Sequence, residues 1–165
     1  MSISDGLLQE IEMETSRTRA LLERLPEDKL DWKPHEKSMP LGRLATHIVE
    51  LPSWGNFTIA QDVLDIGGFT PTTFDTVPEI LEYLENSSNG LKDILRKTKD
   101  EEFSKTWTMT YEGKEVFAAP KLAVLRDFVL NHMIHHRGQL TVFLRLLDVP
   151  LPMTIEPSAD ETGGF

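Results

Sequence analysis

The sequence predicts an all-α fold: a four-helix bundle with a short β-hairpin insertion between helices 3 and 4. Three observations carry that expectation. Four segments repeat apolar residues at steps of three and four, the period of one helix face. Between the last two of them the pattern changes to alternation: Trp107, Met109 and Tyr111, then Glu112-Gly113-Lys114 as a turn, then Val116 and Phe117. At 165 residues the chain is long enough for one core without staples, so residues 1–165 read as a single domain.

The first helix reads from about Asp5 to Leu25, capped by Ser4 and stopped by Pro26, with Leu8, Ile11, Thr15, Thr18, Leu22 and Leu25 facing inward. A polar connector, Pro26 to Pro40, leads to a second helix starting near Leu41. Its stripe is Leu44, His47, Leu51, Trp54 and Thr58, and Pro52 is expected to bend it. Gly67-Gly68 and Pro71 mark a loop. Thr76-Val77-Pro78-Glu79 then has the form of a capping box before a third helix with Ile80, Leu84, Ser87, Leu91 and Ile94 inward. The fourth helix follows Pro120 and reaches about Leu147, with the stripe Leu125, Val129, His132, His136, Gln139, Phe143 and Leu146. Val149 to Asp160 is a proline-rich tail without periodicity.

Composition removes several kinds of chemistry. There is no cysteine, hence no disulfide scaffold, thiolate metal site, cysteine nucleophile or iron–sulfur cluster. The net charge of −10 makes the surface a poor partner for nucleic acid or anionic lipid. Met1 to Gln9 has no basic region, and no apolar run approaches the roughly 20 residues that span a bilayer. A cytoplasmic protein is the expectation, with no nucleic-acid or membrane partner. There is no Gly-rich phosphate loop, no zincin motif and no nucleophile elbow.

What interrupts the stripes is histidine. His47 takes an apolar position on the second helix, and His132 and His136 take two successive ones on the fourth. Residues four apart are separated by roughly 6 Å of rise and about 40° of rotation, so the two imidazoles face one point. A third imidazole from a neighbouring helix makes a three-nitrogen cap with one side open, the arrangement of a catalytic zinc. The plain alternative is a set of hydrogen-bonded core histidines, although two adjacent unpaired imidazoles are costly to bury and a cation relieves that cost.

Around this trio, Gln139 lies one turn beyond His136 and is a candidate to orient it. His135 projects from a second face and reads as a supporting or interface residue. Glu50, three residues after His47, is a candidate to orient a water, against the commoner solvated carboxylate. Thr15, Thr18 and Ser87 are small polar residues where leucine would fill the core. They leave room for a pocket, unless their hydroxyls bond to backbone one turn away.

Three stretches together resemble the DinB/YfiT-like superfamily. They are His132-Met133-Ile134-His135-His136-Arg137-Gly138-Gln139-Leu140 with Arg145-Leu146-Leu147-Asp148-Val149-Pro150, Leu30-Asp31-Trp32-Lys33-Pro34 leading to Leu41-Gly42-Arg43-Leu44-Ala45-Thr46-His47, and the tail through Pro157-Ser158-Ala159-Asp160-Glu161. The resemblance implies a bundle with one long crossover, a homodimer, and a divalent metal, zinc or nickel, on His47, His132 and His136. It also implies chemistry related to thiol-dependent transferases and to an isomerase using a similar thiol. The leading expectation is therefore a metal-dependent enzyme acting on a small-molecule substrate, an S-transferase or a hydrolase. With no cysteine in the chain, any nucleophilic sulfur comes from an external low-molecular-weight thiol. The rival expectation is a non-catalytic binding or interaction bundle with a structural or regulatory metal layer.

Overall fold

The structure, a computed structural model, describes residues 2–161; residues 1 and 162–165 of the expected domain lie outside the described residues. Helix α1 spans Ile3–Leu22. Its cap is Ser2 and not Ser4: the Ser2 hydroxyl accepts from the Asp5 backbone N–H, and the Asp5 carboxylate accepts from the Ser2 N–H. Ser4 lies inside the helix, buried, and donates to the Thr98 carbonyl at 3.2 Å. The buried face runs from Ser4 through Leu7 and Ile11; Leu8 is only partly buried.

Helix α2, Leu41–Ala60, runs through the buried Pro52 without ending. Helix α3, Val77–Leu95, opens with the expected Thr76/Glu79 capping box. α1 packs against α3 and the fourth helix, and α2 packs against the same two. Gly55 permits the close approach of α2 to α3, since a Cβ there would stand 2.8 Å from both Leu91 methyls.

The expected hairpin is present as β2 (Thr106–Tyr111) and β3 (Lys114–Pro120), antiparallel. It turns on Glu112 and Gly113, with φ of 50° and 75°, the left-handed pair of a two-residue hairpin. The alternation has a packing cause: Trp107 and Met109 are buried with Val124 in a small second core. The sheet has a third strand that the sequence pattern does not announce. β1, Val63–Asp65, pairs parallel to β2. Asp65 fastens it to the turn by accepting from Gly67, Glu112 and Gly113 N–H groups and the Thr110 hydroxyl.

The fourth helix, α4, is continuous over residues 121–146. It begins as an α-helical turn, Lys121–Ala123, becomes π-helical over Val124–Asn131, and returns to α-helix over His132–Leu146. Lys121 anchors its start. The buried ammonium pairs with Glu102 at 2.6 Å and Asp62 at 2.8 Å and donates to the Ile59 carbonyl at the end of α2.

The π-helical stretch corrects the inward stripe. Its i→i+5 bonds put more residues into each turn than an α-helix does, so the strict α period holds to Val129 and then slips by one residue. The buried positions beyond it are Met133, His136, Arg137, Leu140 and Leu144, whereas Gln139 and Leu146 are exposed. His132 consequently sits at the edge of the core, partly exposed, while His136 stays buried.

Candidate metal centre

His47 comes from the middle of α2; His132 is the first residue after the π-helical stretch, and His136 lies one turn on. Their donor atoms lie within 4.8 Å of one another. His132 Nε2 stands 3.3 Å from His47 Nε2 and 2.8 Å from His136 Nε2. Three nitrogens about 2.05 Å from a tetrahedral centre stand roughly 3.3 Å apart, which is the scale seen here.

The outer side of each ring explains why the inner sides converge. His132 Nδ1–H donates to the Phe128 carbonyl at 3.3 Å, and His136 Nδ1–H to Gln139 Oε1 at 2.7 Å. His47 Nδ1 faces Glu50 Oε2 at 3.7 Å. A carbonyl and an amide oxygen can only accept, so His132 and His136 each carry their proton on Nδ1 and a lone pair on Nε2. Two lone pairs 2.8 Å apart repel unless a cation lies between them. The donor set therefore fits a divalent ion with a preference for imidazole.

Electrostatics point the same way. Burial pushes the His132 imidazole below its usual pKa, with the neighbouring His47 adding to it. Burial also lowers His136, against the opposing hydrogen bond it donates to Gln139. Both shifts favour the neutral ring, the form that ligates a cation. Glu50 is not the solvated carboxylate of the commoner reading: it is 3% exposed. Burial pushes its carboxyl up, but hydrogen bonds from His47, the Thr72 N–H and Arg43 outweigh that and hold it at about 2. It is a fixed anion behind His47, the outer partner that orients a ligating histidine.

Gln139 is exposed rather than in the core, yet it bridges two rings, with its amide nitrogen 3.1 Å from His135 Nε2. His135 is exposed and stands outside the three-nitrogen cluster. Thr15, Thr18 and Ser87 are buried but hold bonds inside the bundle. Thr15 donates to Ser88, Thr18 accepts from Arg137, and Ser87 donates to the Val49 and Leu84 carbonyls. Ser87 follows the backbone-bonding alternative; none of the three hydroxyls is free to line a pocket.

Sequence reading misses Arg137 and Glu14, a buried pair joining α4 to α1 directly beside His136. The signal was present in the phase: once the π-helical stretch is allowed for, Arg137 falls on the core face with Met133 and Leu140. It also misses Arg43, which holds Glu50 at 3.0 Å.

The sequence model of the DinB family matches residues 1–162. The chain is 26% identical over 165 residues to an uncharacterized protein, YrdA, of Bacillus subtilis (strain 168), covering 98% of this chain and 93% of that one. Among solved structures it resembles a DinB-like protein from Bacillus cereus ATCC 10987, with a TM-score of 0.69 at 22% identity, covering 90% of this chain and 95% of that one. It also resembles a DinB-like protein from Bacillus subtilis, YjoA, with a TM-score of 0.67 at 19% identity, covering 87% and 92%. Both likenesses concern the fold. No helix among the described residues is long and apolar enough to cross a membrane.

Proposed function

The chain belongs to the DinB family, and on that premise we propose that it is a metal-dependent enzyme whose His47, His132 and His136 hold one zinc or nickel ion. The observation that carries the proposal is the orientation of the three rings: each outer nitrogen faces a carbonyl, an amide or a carboxylate, and each inner nitrogen faces the same point. When bound, the ion supplies a Lewis acid that brings the ionisation of a water or a thiol toward neutral pH.

The chain's own residues set the stage for that chemistry. Glu50 and Gln139 keep His47 and His136 in the ligating orientation, and Phe128 does so for His132 through its carbonyl. The Phe128 ring covers His132 at a centroid distance of 5.8 Å and the Trp54 ring lies 6.3 Å beyond, an apolar screen on one side of the centre. With no cysteine in the sequence, sulfur chemistry at this site needs an external low-molecular-weight thiol. The reading is a thiol-dependent S-transferase on a small electrophile, acting as a cytoplasmic homodimer, with a hydrolase as the version in which water replaces the thiol.

Metal analysis of protein purified without a histidine tag is the test. About one equivalent of zinc or nickel per chain is expected. Less than roughly 0.1 equivalent, with stability unchanged in the triple His→Ala variant, sinks the enzyme and leaves a binding bundle. With metal present, low-molecular-weight thiols are screened against model electrophiles. Turnover that no thiol raises above the metal-free protein removes the transferase version.

A further inference from the structure

We propose that the substrate of this site is a small organic acid, an apolar body with one anionic group, and that Lys37 binds the anion. The proposal rests on the three histidines being the reacting centre and adds the class of molecule that meets them. A cavity of about 390 Å³ opens beside His136, within the range of small-molecule sites. Met39, Leu44, Val142 and Phe143 form its apolar wall and Ser38 and Gln139 a smaller polar one, so most of what fills it is apolar. Lys37 is the one ammonium lining it, and no carboxylate does.

Among the described residues the Lys37 ammonium has no hydrogen-bond or ion-pair partner; only its backbone N–H is engaged, donating to His35 Nδ1 at 3.1 Å. In a chain with a net charge of −10, an unpaired ammonium on a mainly apolar cavity that reaches His136 selects for an anion on its occupant. A single ammonium matches a single charge.

The segment carrying Lys37 is already fixed. Ser38 N–H donates to the His35 carbonyl at 3.0 Å, and Lys33 donates to the Glu36 carbonyl at 3.0 Å. Trp32 stands edge-on to Phe143 at 5.8 Å, tying the connector to the far wall. Binding therefore orders the Lys37 side chain on a backbone that is already held.

The test is an NMR titration with hexanoate, 1-hexanol and hexylamine, with zinc loaded and with zinc removed by chelator. Hexanoate is expected to bind roughly three- to fivefold more tightly than 1-hexanol, the scale of an exposed charge pair, and to shift the amides of Lys37, Met39, Gln139 and Val142. In K37M that advantage is lost while 1-hexanol binding is unchanged. V142W, which fills the cavity from an exposed position, weakens all three probes. Equal affinities in the wild type, an advantage that survives K37M, or no effect of V142W overturns the proposal. An advantage lost in H132A but kept in K37M places the acid on the metal and overturns the role of Lys37. A protein that takes up no metal yet shows the Lys37-dependent preference removes the proposed chemistry and leaves the anion pocket standing.

Discussion

Arg137 follows His136 in the chain, yet its guanidinium turns into the bundle and pairs with Glu14 of α1, both side chains almost fully buried. It also donates to the Glu14 carbonyl and the Thr18 hydroxyl. This pair fixes the rotation of α4 at the turn that carries two of the three histidines. Removing Arg137 leaves the buried Glu14 only the partly exposed Arg17, at 2.6 Å, so the loss is about 3 kcal/mol, the low end for a broken buried pair. R137M is expected to lose that amount in urea unfolding, and the double variant E14L/R137M to recover most of it. Equal losses in the single and the double variant would show that the pair does not act as a unit.

A ligand that binds only the folded chain raises its stability by mass action. At a free concentration a hundred times Kd the gain is about 2.7 kcal/mol, or roughly 5–10 °C in Tm for a domain of this size. Zinc or nickel is expected to raise the Tm of the chelator-treated wild type by that much and to leave H132A unmoved. The measurement is a thermal melt of both proteins at matched metal concentration. A rise of equal size in H132A contradicts a centre built on these histidines.

Glu50→Gln keeps the size of the side chain and removes the anion facing His47 Nδ1. Gln139→Ala removes the acceptor of His136 Nδ1–H. Loss of such an orienting partner lowers metal affinity by about 10–100-fold, and a competition titration against a metal-binding dye reads it directly. S87A is the control, because among the described residues that hydroxyl serves only the Val49 and Leu84 carbonyls. If E50Q and Q139A bind metal as S87A does, the outer partners do not set the orientation of the rings.

Much of this site was legible because its signals are local. Thr76 and Glu79 are three residues apart, and their reciprocal bonds need nothing from the rest of the fold. His132 and His136 are one helical turn apart, so their convergence follows from α geometry alone. The parts that were not legible depend on partners distant in sequence. β1 is three residues long, too short to show alternation, and exists because β2 lies beside it. Arg137 and Glu14 read as surface charges until each is seen to neutralise the other. The phase of α4 slipped because sequence reading assumed α-helix where the backbone takes i→i+5 bonds. Ser4 and Ser2 are equally good cap residues by type, and Asp5 decides between them by standing three residues after Ser2.

The C-terminal tail gives a prediction in pH. Arg145 holds Asp160 at 2.6 Å, and the Leu151 N–H and Ser158 hydroxyl add to it. The ion pair with Arg145 first, then the Leu151 bond, draws the Asp160 carboxyl down to about 2. A carboxyl with a folded pKa below its unfolded value stabilises the fold above the unfolded value, near 3.8. That contribution is lost as pH falls toward about 2. The stability difference between wild type and D160N is therefore expected to be constant from neutral pH down to about 5, then to shrink and vanish near the folded pKa. Urea unfolding of both proteins across that range measures it. A difference that persists unchanged at the acid end would mean that Asp160 holds the tail by shape and not by charge.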